Sequence, residues 1–501
     1  MSHYKPDPGN NVKLVIDGIP VTVPKGTTIL DAARKINIKI PTLCNHSYLR
    51  KRASCRLCLV ECEGVEKLVP ACASDVWEGA NIVTNSPRIL ETRNTIIEML
   101  LASHPQECLV CMRNKRCELQ SLAKQFGIRE PVLRRRIIQD RKPVMENGVL
   151  VRDMDKCVKC GRCMEGCQEI QTVGAINNFH RSIHYTIDAP YDQTLTDGPC
   201  IFCGHCAEVC PIGAIYGYDQ SHEAWAALRD SELAKSDHSV VVQFDPMLSM
   251  AFDIALGLPI GTITPGKMVS ALRRLGFDRV FDMQFSKSAA LTEESRELID
   301  RIKGGDKIPM LSGCSQSLNR FTKDFFPDLV GHISPCRNAV NIFDTLNKGT
   351  GTAKTTSVSI MPCPAKKYRE RKSDGNTDIV LTVNEAAQMF RLAGLDFASL
   401  DESGFDIMPG KRPEDLTAFD SSNYRDVRKG VREAKITVKD TTVKLMTIQG
   451  FGSAREIMNS IRNGECDADF VKVMNCPRTD CSTLAGCEMA SVLCRVCEVR
   501  F

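Results

Sequence analysis

Cysteine accounts for 25 of the 501 residues, and the thiols are grouped rather than scattered. Sixteen lie before residue 211, none lies between Cys210 and Cys314, and nine lie from Cys314 onward. The odd total excludes complete internal pairing, and the density is below the roughly 8–10% of a short disulfide-stapled scaffold. Clustered soft thiolates bind zinc or iron–sulfur centres, so the spacing of each group decides its chemistry.

Cys44, Cys55, Cys58 and Cys72 read C-x(10)-C-x(2)-C-x(13)-C, one tight pair flanked by single outliers. A zinc ribbon has two tight pairs, so this group is expected to hold a [2Fe–2S] cluster, with Cys62 left as a buried filler. HPQECLVCMRNKRC supplies His104, Cys108, Cys111 and Cys117, and Pro105 fixes the turn that brings the imidazole in as fourth ligand. Neutral imidazole in place of thiolate removes negative charge and raises a cluster's potential. CVKCGRCMEGC and CIFCGHCAEVCP repeat C-x(2)-C-x(2)-C-x(3)-C, the run of two-cluster bacterial ferredoxins, in which each fourth cysteine serves the other centre. The expected sets are Cys157, Cys160, Cys163 and Cys210 for one [4Fe–4S] cluster, and Cys200, Cys203, Cys206 and Cys167 for another. Pro211 follows the second run, whereas Gln168 stands at that place in the first. A series of one-electron centres moves electrons between separated sites.

The elements that must carry these groups follow from pattern. Val12–Ile16, a turn at Asp17–Gly18 and Val21–Val23 read as a hairpin, and the threonines of TTILDAARKINI cap a helix, as in a ubiquitin-like fold with a free cysteine loop. Beyond residue 236, Met268–Leu275 reads as a helix, Val280–Phe285 as a strand and Thr292–Ile302 as a second helix, giving an α/β region. Boundaries near 80, 148 and 235 divide the chain into 1–80 ([2Fe–2S], similar to plant-type ferredoxins), 81–148 (His-ligated [4Fe–4S]), 149–235 (two [4Fe–4S]) and 236–501 (large domain). The fold class is multidomain α+β and α/β. A net charge of +4 is too weak to argue for nucleic acid, and Arg134–Arg136 reads as a solvated face. The opening MSHYKPDPGNN has no apolar leader, and no run approaches the roughly 18 apolar residues of a membrane span, so a cytoplasmic location is expected.

The order of the three cluster groups resembles the amino-terminal half of multi-cluster [FeFe] hydrogenases, and its first two groups resemble the large iron–sulfur subunit of complex I. Residues 261–302, together with IPMLSGCSQS, MPCPAKKYRE and VMNCPRTDC, resemble the hydrogenase catalytic domain and its three active-site signatures. The resemblance implies a [4Fe–4S] cluster on four cysteines bridged to a di-iron centre. Here the signatures are degenerate. LSGCS keeps one cysteine where the family has two. With Ser312 matched, Cys314 is the ligand and Gly313 stands at the proton-relay position; shifted by one residue, Cys314 is the relay and Ser315 stands where a ligand belongs. Lys366 keeps the place of a pocket lysine, Arg369 replaces a glutamate, and Arg478, Thr479 and Asp480 replace small residues between Cys476 and Cys481. Glu294 and Glu297 stand at the family's proton path, or at the acidic start of a helix capped by Thr292.

The resemblance implies an oxidoreductase that works within a complex: an iron–sulfur subunit relaying electrons between flavin- and NAD(P)-binding partner subunits and ferredoxin, by electron bifurcation or transhydrogenation, with hydrogen chemistry lost. No G-x-G-x-x-G follows a strand and no P-loop is present, so nicotinamide and flavin belong to the partners. The alternatives are an active hydrogenase at a modified site and a redox sensor. A fifth cluster is expected on Cys314, Cys363, Cys476 and Cys481, or a separate centre on Cys487, Cys494 and Cys497; a di-iron centre is not. Cys336 and Cys466 are expected to be inert thiols.

Overall fold

The structure is a computed structural model. It describes residues 7–132, 142–190, 193–234, 238–348, 354–368, 379–408, 425–428, 430–438 and 441–475. Arg134–Arg136, Arg369, Arg478, Thr479, Asp480 and Cys476, Cys481, Cys487, Cys494 and Cys497 lie outside the described residues.

Strands Asp7–Ile16 and Ile19–Lys25 form the hairpin, with Ile16 opposite Ile19 and positive φ at both Asp17 and Gly18, as a two-residue turn of this hand requires. They continue through Asn81–Val83 and Leu59–Cys62 to Val65–Pro70 in one five-stranded sheet. Thr28 caps the helix Ile29–Lys35 by accepting from the Asp31 N–H, and the helix buries Ile29, Leu30, Ala32 and Ala33 against Val12, Ile16, Val60 and Ile82. Cys58, Cys62 and Cys72 belong to the same buried core. The next helix, Pro87–Ala102, is tied to this domain by buried Arg93, which donates to Leu57 O at 3.0 Å and Leu59 O at 2.9 Å.

Two short helices, Arg162–Glu165 and His205–Val209, each begin after a left-handed glycine, Gly161 and Gly204, in the middle of a cysteine run. That conformation turns the chain sharply between the second and third cysteines. Strands Val144–Glu146, Leu150–Arg152 and Ile215–Gly217 back them.

The large domain has two sheets. One is fully parallel, in the order Arg279–Asp282, His238–Phe244, Lys354–Met361, Ile379–Thr382. The other runs Met310–Gly313, Phe470–Met474, Thr441–Gln449, Val431–Val438, Arg425–Arg428, its first three strands parallel. Ligand sites in such sheets gather at the carboxyl ends of the strands, and Cys314, Cys363 and Asn475 all lie just past such ends.

Two expectations are corrected. Val280–Phe285 is not one strand: the strand stops at Asp282, whose carboxylate caps a helix by accepting from the Gln284 N–H. That helix is a single element, Met283–Gly304, so Thr292 caps nothing and instead donates to Ser288 O at 2.8 Å. Glu294 and Glu297 therefore stand in a helix interior, away from any terminal dipole.

Lys367 locks the cluster region to the large domain. Its ammonium, 1% exposed, donates to Tyr218 O at 2.6 Å and to both Glu385 oxygens at 2.6 and 2.8 Å. Burial outweighs Lys367 and pushes the Glu385 carboxyl up to about 7. A carboxyl raised in this way binds its proton more tightly folded than unfolded, so its contribution to stability is present at low pH and lost as pH rises to about 7. Lys367→Met should therefore cost about 3–5 kcal/mol above pH 7, where Glu385 is left ionised and buried, and less at pH 5. Denaturant unfolding at the two pH values measures this; an equal loss at both would contradict it.

Candidate functional site

The four thiols of the first group converge. Cys44 shares hydrogen bonds with Cys55 and Cys72, and Cys58 with Cys72, which lowers the Cys44 pKa and holds Cys58 at about 7. Cys62 is 4% exposed within the core and, among its resolved influences, only burial shifts its pKa, upward.

In the second group, Cys117 precedes the helix Glu118–Gln125 and accepts from the Gln120 N–H at 3.5 Å. His104 Nδ1 lies 3.0 Å from Lys156 O. A carbonyl only accepts, so Nδ1 carries the proton and Nε2 is the nitrogen suited to iron, an arrangement that orients metal-binding imidazoles generally. Cys108 is exposed and Cys111 half-buried. A Cβ on Gly213 would fall 2.6 Å from Cys111 Sγ, so only glycine lets the two loops approach.

Cys157, Cys160, Cys163 and Cys210 line one small cavity with Met154, Val158, Ile187 and Ile212. Burial pushes Cys160 up to about 12 and Cys157 to about 11. Cys200, Cys203, Cys206 and Cys167 form the companion set: each of the first three feels Cys167, and burial followed by neighbouring thiols raises them. Both sets fit a cluster, because they are four soft ligands in an apolar shell that iron would deprotonate on binding. Links from the two amino-terminal groups reach one loop each: Ser54 Oγ donates to Cys160 O in the first run at 3.3 Å, and the Glu118 N–H to Pro211 O just after the second at 2.9 Å. On the other side, Cys203 feels Cys363. Phe202 stacks on Tyr368 with centroids 4.8 Å apart, and Gly204 packs against Pro364.

Past Cys363 opens a cavity of about 380 Å³ between the two sheets, lined by Cys314, Cys363, Lys366, Glu294, Cys336 and Lys472 among others. Cys314 Sγ accepts from the Asn475 N–H at 3.3 Å, and Cys363 Sγ from the Ala365 N–H at 3.3 Å. Lys366 donates to Cys314 O. Ser315, also at the cavity wall, donates to Ser317 Oγ at 2.9 Å and accepts from Asn475 Nδ2 at 2.8 Å. Glu294 is bound by Lys472 at 3.0 Å through each oxygen and by the Ser312 hydroxyl, while Glu297 pairs with Arg301 at 2.7 Å. At Gly313 a Cβ would meet Leu318 Cβ at 2.7 Å and Ser315 O at 2.9 Å, so no side chain fits there.

Cys336 is not simply buried filler: it is half-buried, lines this cavity, and sits near Glu294, Glu297 and Glu293. Pattern reading also passes over Lys472 and Arg162. Lys472 is a charged residue inside the apolar strand FVKVM, a visible signal, and Arg162 stands between Cys160 and Cys163.

Gly213→Ala should displace Cys111 and strip the His104 group of its cluster, lowering bound iron by about four per chain. A full iron count would contradict this.

Comparison with known proteins accords with these groups. Residues 9–87 match a 2Fe-2S iron-sulfur cluster binding domain, 93–131 the NADH-ubiquinone oxidoreductase-G iron-sulfur binding region, 149–211 a 4Fe-4S dicluster domain, and 238–482 the iron only hydrogenase large subunit, C-terminal domain. Over 93% of its length the chain is 36% identical to NADP-reducing hydrogenase subunit HndD of Solidesulfovibrio fructosivorans, covering 86% of that protein. It is 27% identical to iron hydrogenase 1 of Clostridium pasteurianum over 92% of this chain and 86% of that one. A stretch of 41% of this chain is 36% identical to 24% of NADPH-Fe(3+) oxidoreductase subunit alpha of Geobacter sulfurreducens. With its [2Fe–2S] and [4Fe–4S] domains preceding that large domain, the chain is an iron–sulfur oxidoreductase belonging to the iron-only hydrogenase large-subunit family.

Proposed function

We propose that this chain is the electron-conducting subunit of a cytoplasmic multisubunit oxidoreductase, passing electrons between flavin- and NAD(P)-binding partners and ferredoxin, by bifurcation or transhydrogenation, without hydrogen chemistry. The naming of relatives as an NADP-reducing hydrogenase subunit and an NADPH-Fe(3+) oxidoreductase subunit supports a complex of this kind. No helix among the described residues is long and apolar enough to cross a membrane.

In this reading Cys44, Cys55, Cys58 and Cys72 hold the [2Fe–2S] cluster. The three [4Fe–4S] clusters are held by His104 with Cys108, Cys111 and Cys117, by Cys157, Cys160, Cys163 and Cys210, and by Cys200, Cys203, Cys206 and Cys167. Bound clusters supply one-electron transfer. The chain's own residues keep each centre in an apolar shell and bring successive loops into contact, from Ser54 and Glu118 to the Cys203–Cys363 junction. A fifth cluster is assigned to Cys314, Cys363, Cys476 and Cys481.

The observation that carries the loss of hydrogen chemistry is the filled space at Gly313. Proton delivery needs a titratable group within hydrogen-bond reach of the reacting atom, and here Leu318 and the Ser315 carbonyl occupy the relay position. Lys472 further engages Glu294, the next group on that path. The residues present do not suit a di-iron site with a proton relay.

Three measurements test the reading. Infrared spectra of the anaerobic complex, matured in a competent host, should lack carbonyl and cyanide bands; strong bands with hydrogen evolution would favour an active hydrogenase instead. Gly313→Cys should restore no hydrogen evolution, because the added thiol has no room. Iron analysis should give about 14 atoms per chain for four clusters and about 18 with the fifth.

A further inference from the structure

Arg162 stands between Cys160 and Cys163, and its side chain is 4% exposed. It touches both of the amino-terminal cluster groups. One terminal nitrogen donates to Asn45 O at 2.9 Å, the carbonyl next to Cys44. The guanidinium also grips both Glu118 oxygens, at 2.6 and 2.8 Å, the residue next to Cys117. Its remaining donor, Nε, is buried and has no hydrogen-bond partner among the described residues. Burial opposes its charge, but Glu118, then Cys160 and Cys210, outweigh that and hold its pKa above the ordinary value.

These facts are unequal in their electrostatic effect. The Glu118 side chain is 44% exposed, so water screens the carboxylate far more than the guanidinium. The neighbouring pair, Arg52 with Glu165 at 2.5 Å, has the opposite arrangement: the carboxylate is 7% exposed and the guanidinium 27%. Lys156 is paired with Asp153 at 2.6 Å. Arg162 is thus the most buried of the cations in these pairs, and it stands between Cys160 and Cys163 with one buried N–H that has no partner among the described residues. An orphaned buried donor is costly unless an acceptor meets it, and the acceptor suited to this one is anionic sulfur.

We propose that Arg162 sets the reduction potential of the centre on Cys157, Cys160, Cys163 and Cys210, raising it by stabilising the more negative reduced form. This is a positioning and tuning role, distinct from ligation, and it rests on the ligand assignment proposed above.

The test is a redox titration of the intact complex followed by electron paramagnetic resonance, with Cys157→Ser used to identify this centre's signal. At a fixed potential, Arg162→Gln should lower the ratio of reduced to oxidised centre at least tenfold, a shift of about 59 mV for a one-electron couple. Arg162→Lys, which keeps the charge, should hold the ratio within threefold of the parent. Glu118→Gln removes the partly screened counter-charge and should raise the ratio. An unchanged ratio in Arg162→Gln with full iron content overturns the proposal. Should Arg162→Gln lose its cluster, Glu118→Gln decides: a raised ratio supports tuning and an unmoved one refutes it. A parent protein short of four irons, with no signal altered by Cys157→Ser, would overturn the ligand assignment itself, and the tuning role with it.

Discussion

The interleaving of the two four-cysteine runs constrains everything around it. Cys210, the last thiol of the second run, lies with Cys157, Cys160 and Cys163, and Cys167 lies with the second run. Each run therefore contributes its last thiol to the other's group, which ties the two loops to one another. Burial pushes the Cys160 and Cys200 thiols up to about 12, so a metal-free form gathers neutral sulfur in an apolar shell, which couples folding to loading. The left-handed glycines before each short helix are the backbone price of that geometry.

On this unit the rest is docked by polar contacts that reach directly to the cysteine-bearing loops. Arg93, Arg162 and Lys367 are buried cations whose partners lie in other parts of the chain. Buried charge is costly without partners, so these contacts fix orientation as well as offsetting desolvation. Apolar packing continues the same path: the core around Phe202 extends to Phe321 and Phe451 of the large domain without interruption. The cluster-bearing half and the large domain therefore share one interior.

In the large domain, the strand ends gather a pocket whose lining departs from the family's sequence signatures. The sheets bring Cys314, Cys363 and Asn475 together, while Gly313 leaves no space for a second thiol and Lys472 ties up Glu294. A preserved scaffold around altered groups is expected where fold and function are under separate physical control.

How far the sequence was legible depended on the range of the interaction. Local spacing sufficed for the cysteine groups and the hairpin with its capped helix, because a ligand run, a two-residue turn and a cap are each set within a few residues. It failed for Val280–Phe285, where the Asp282 cap ended a strand that hydrophobicity alone would have extended, and for Thr292, where a longer helix absorbed an apparent start. Chain order alone therefore determined how the cysteines group and which signatures are degraded. Only the tertiary structure decided that Arg162 joins two ligand loops, that Lys472 neutralises Glu294, and that position 313 has no room, because burial and charge pairing arise between residues far apart in the chain.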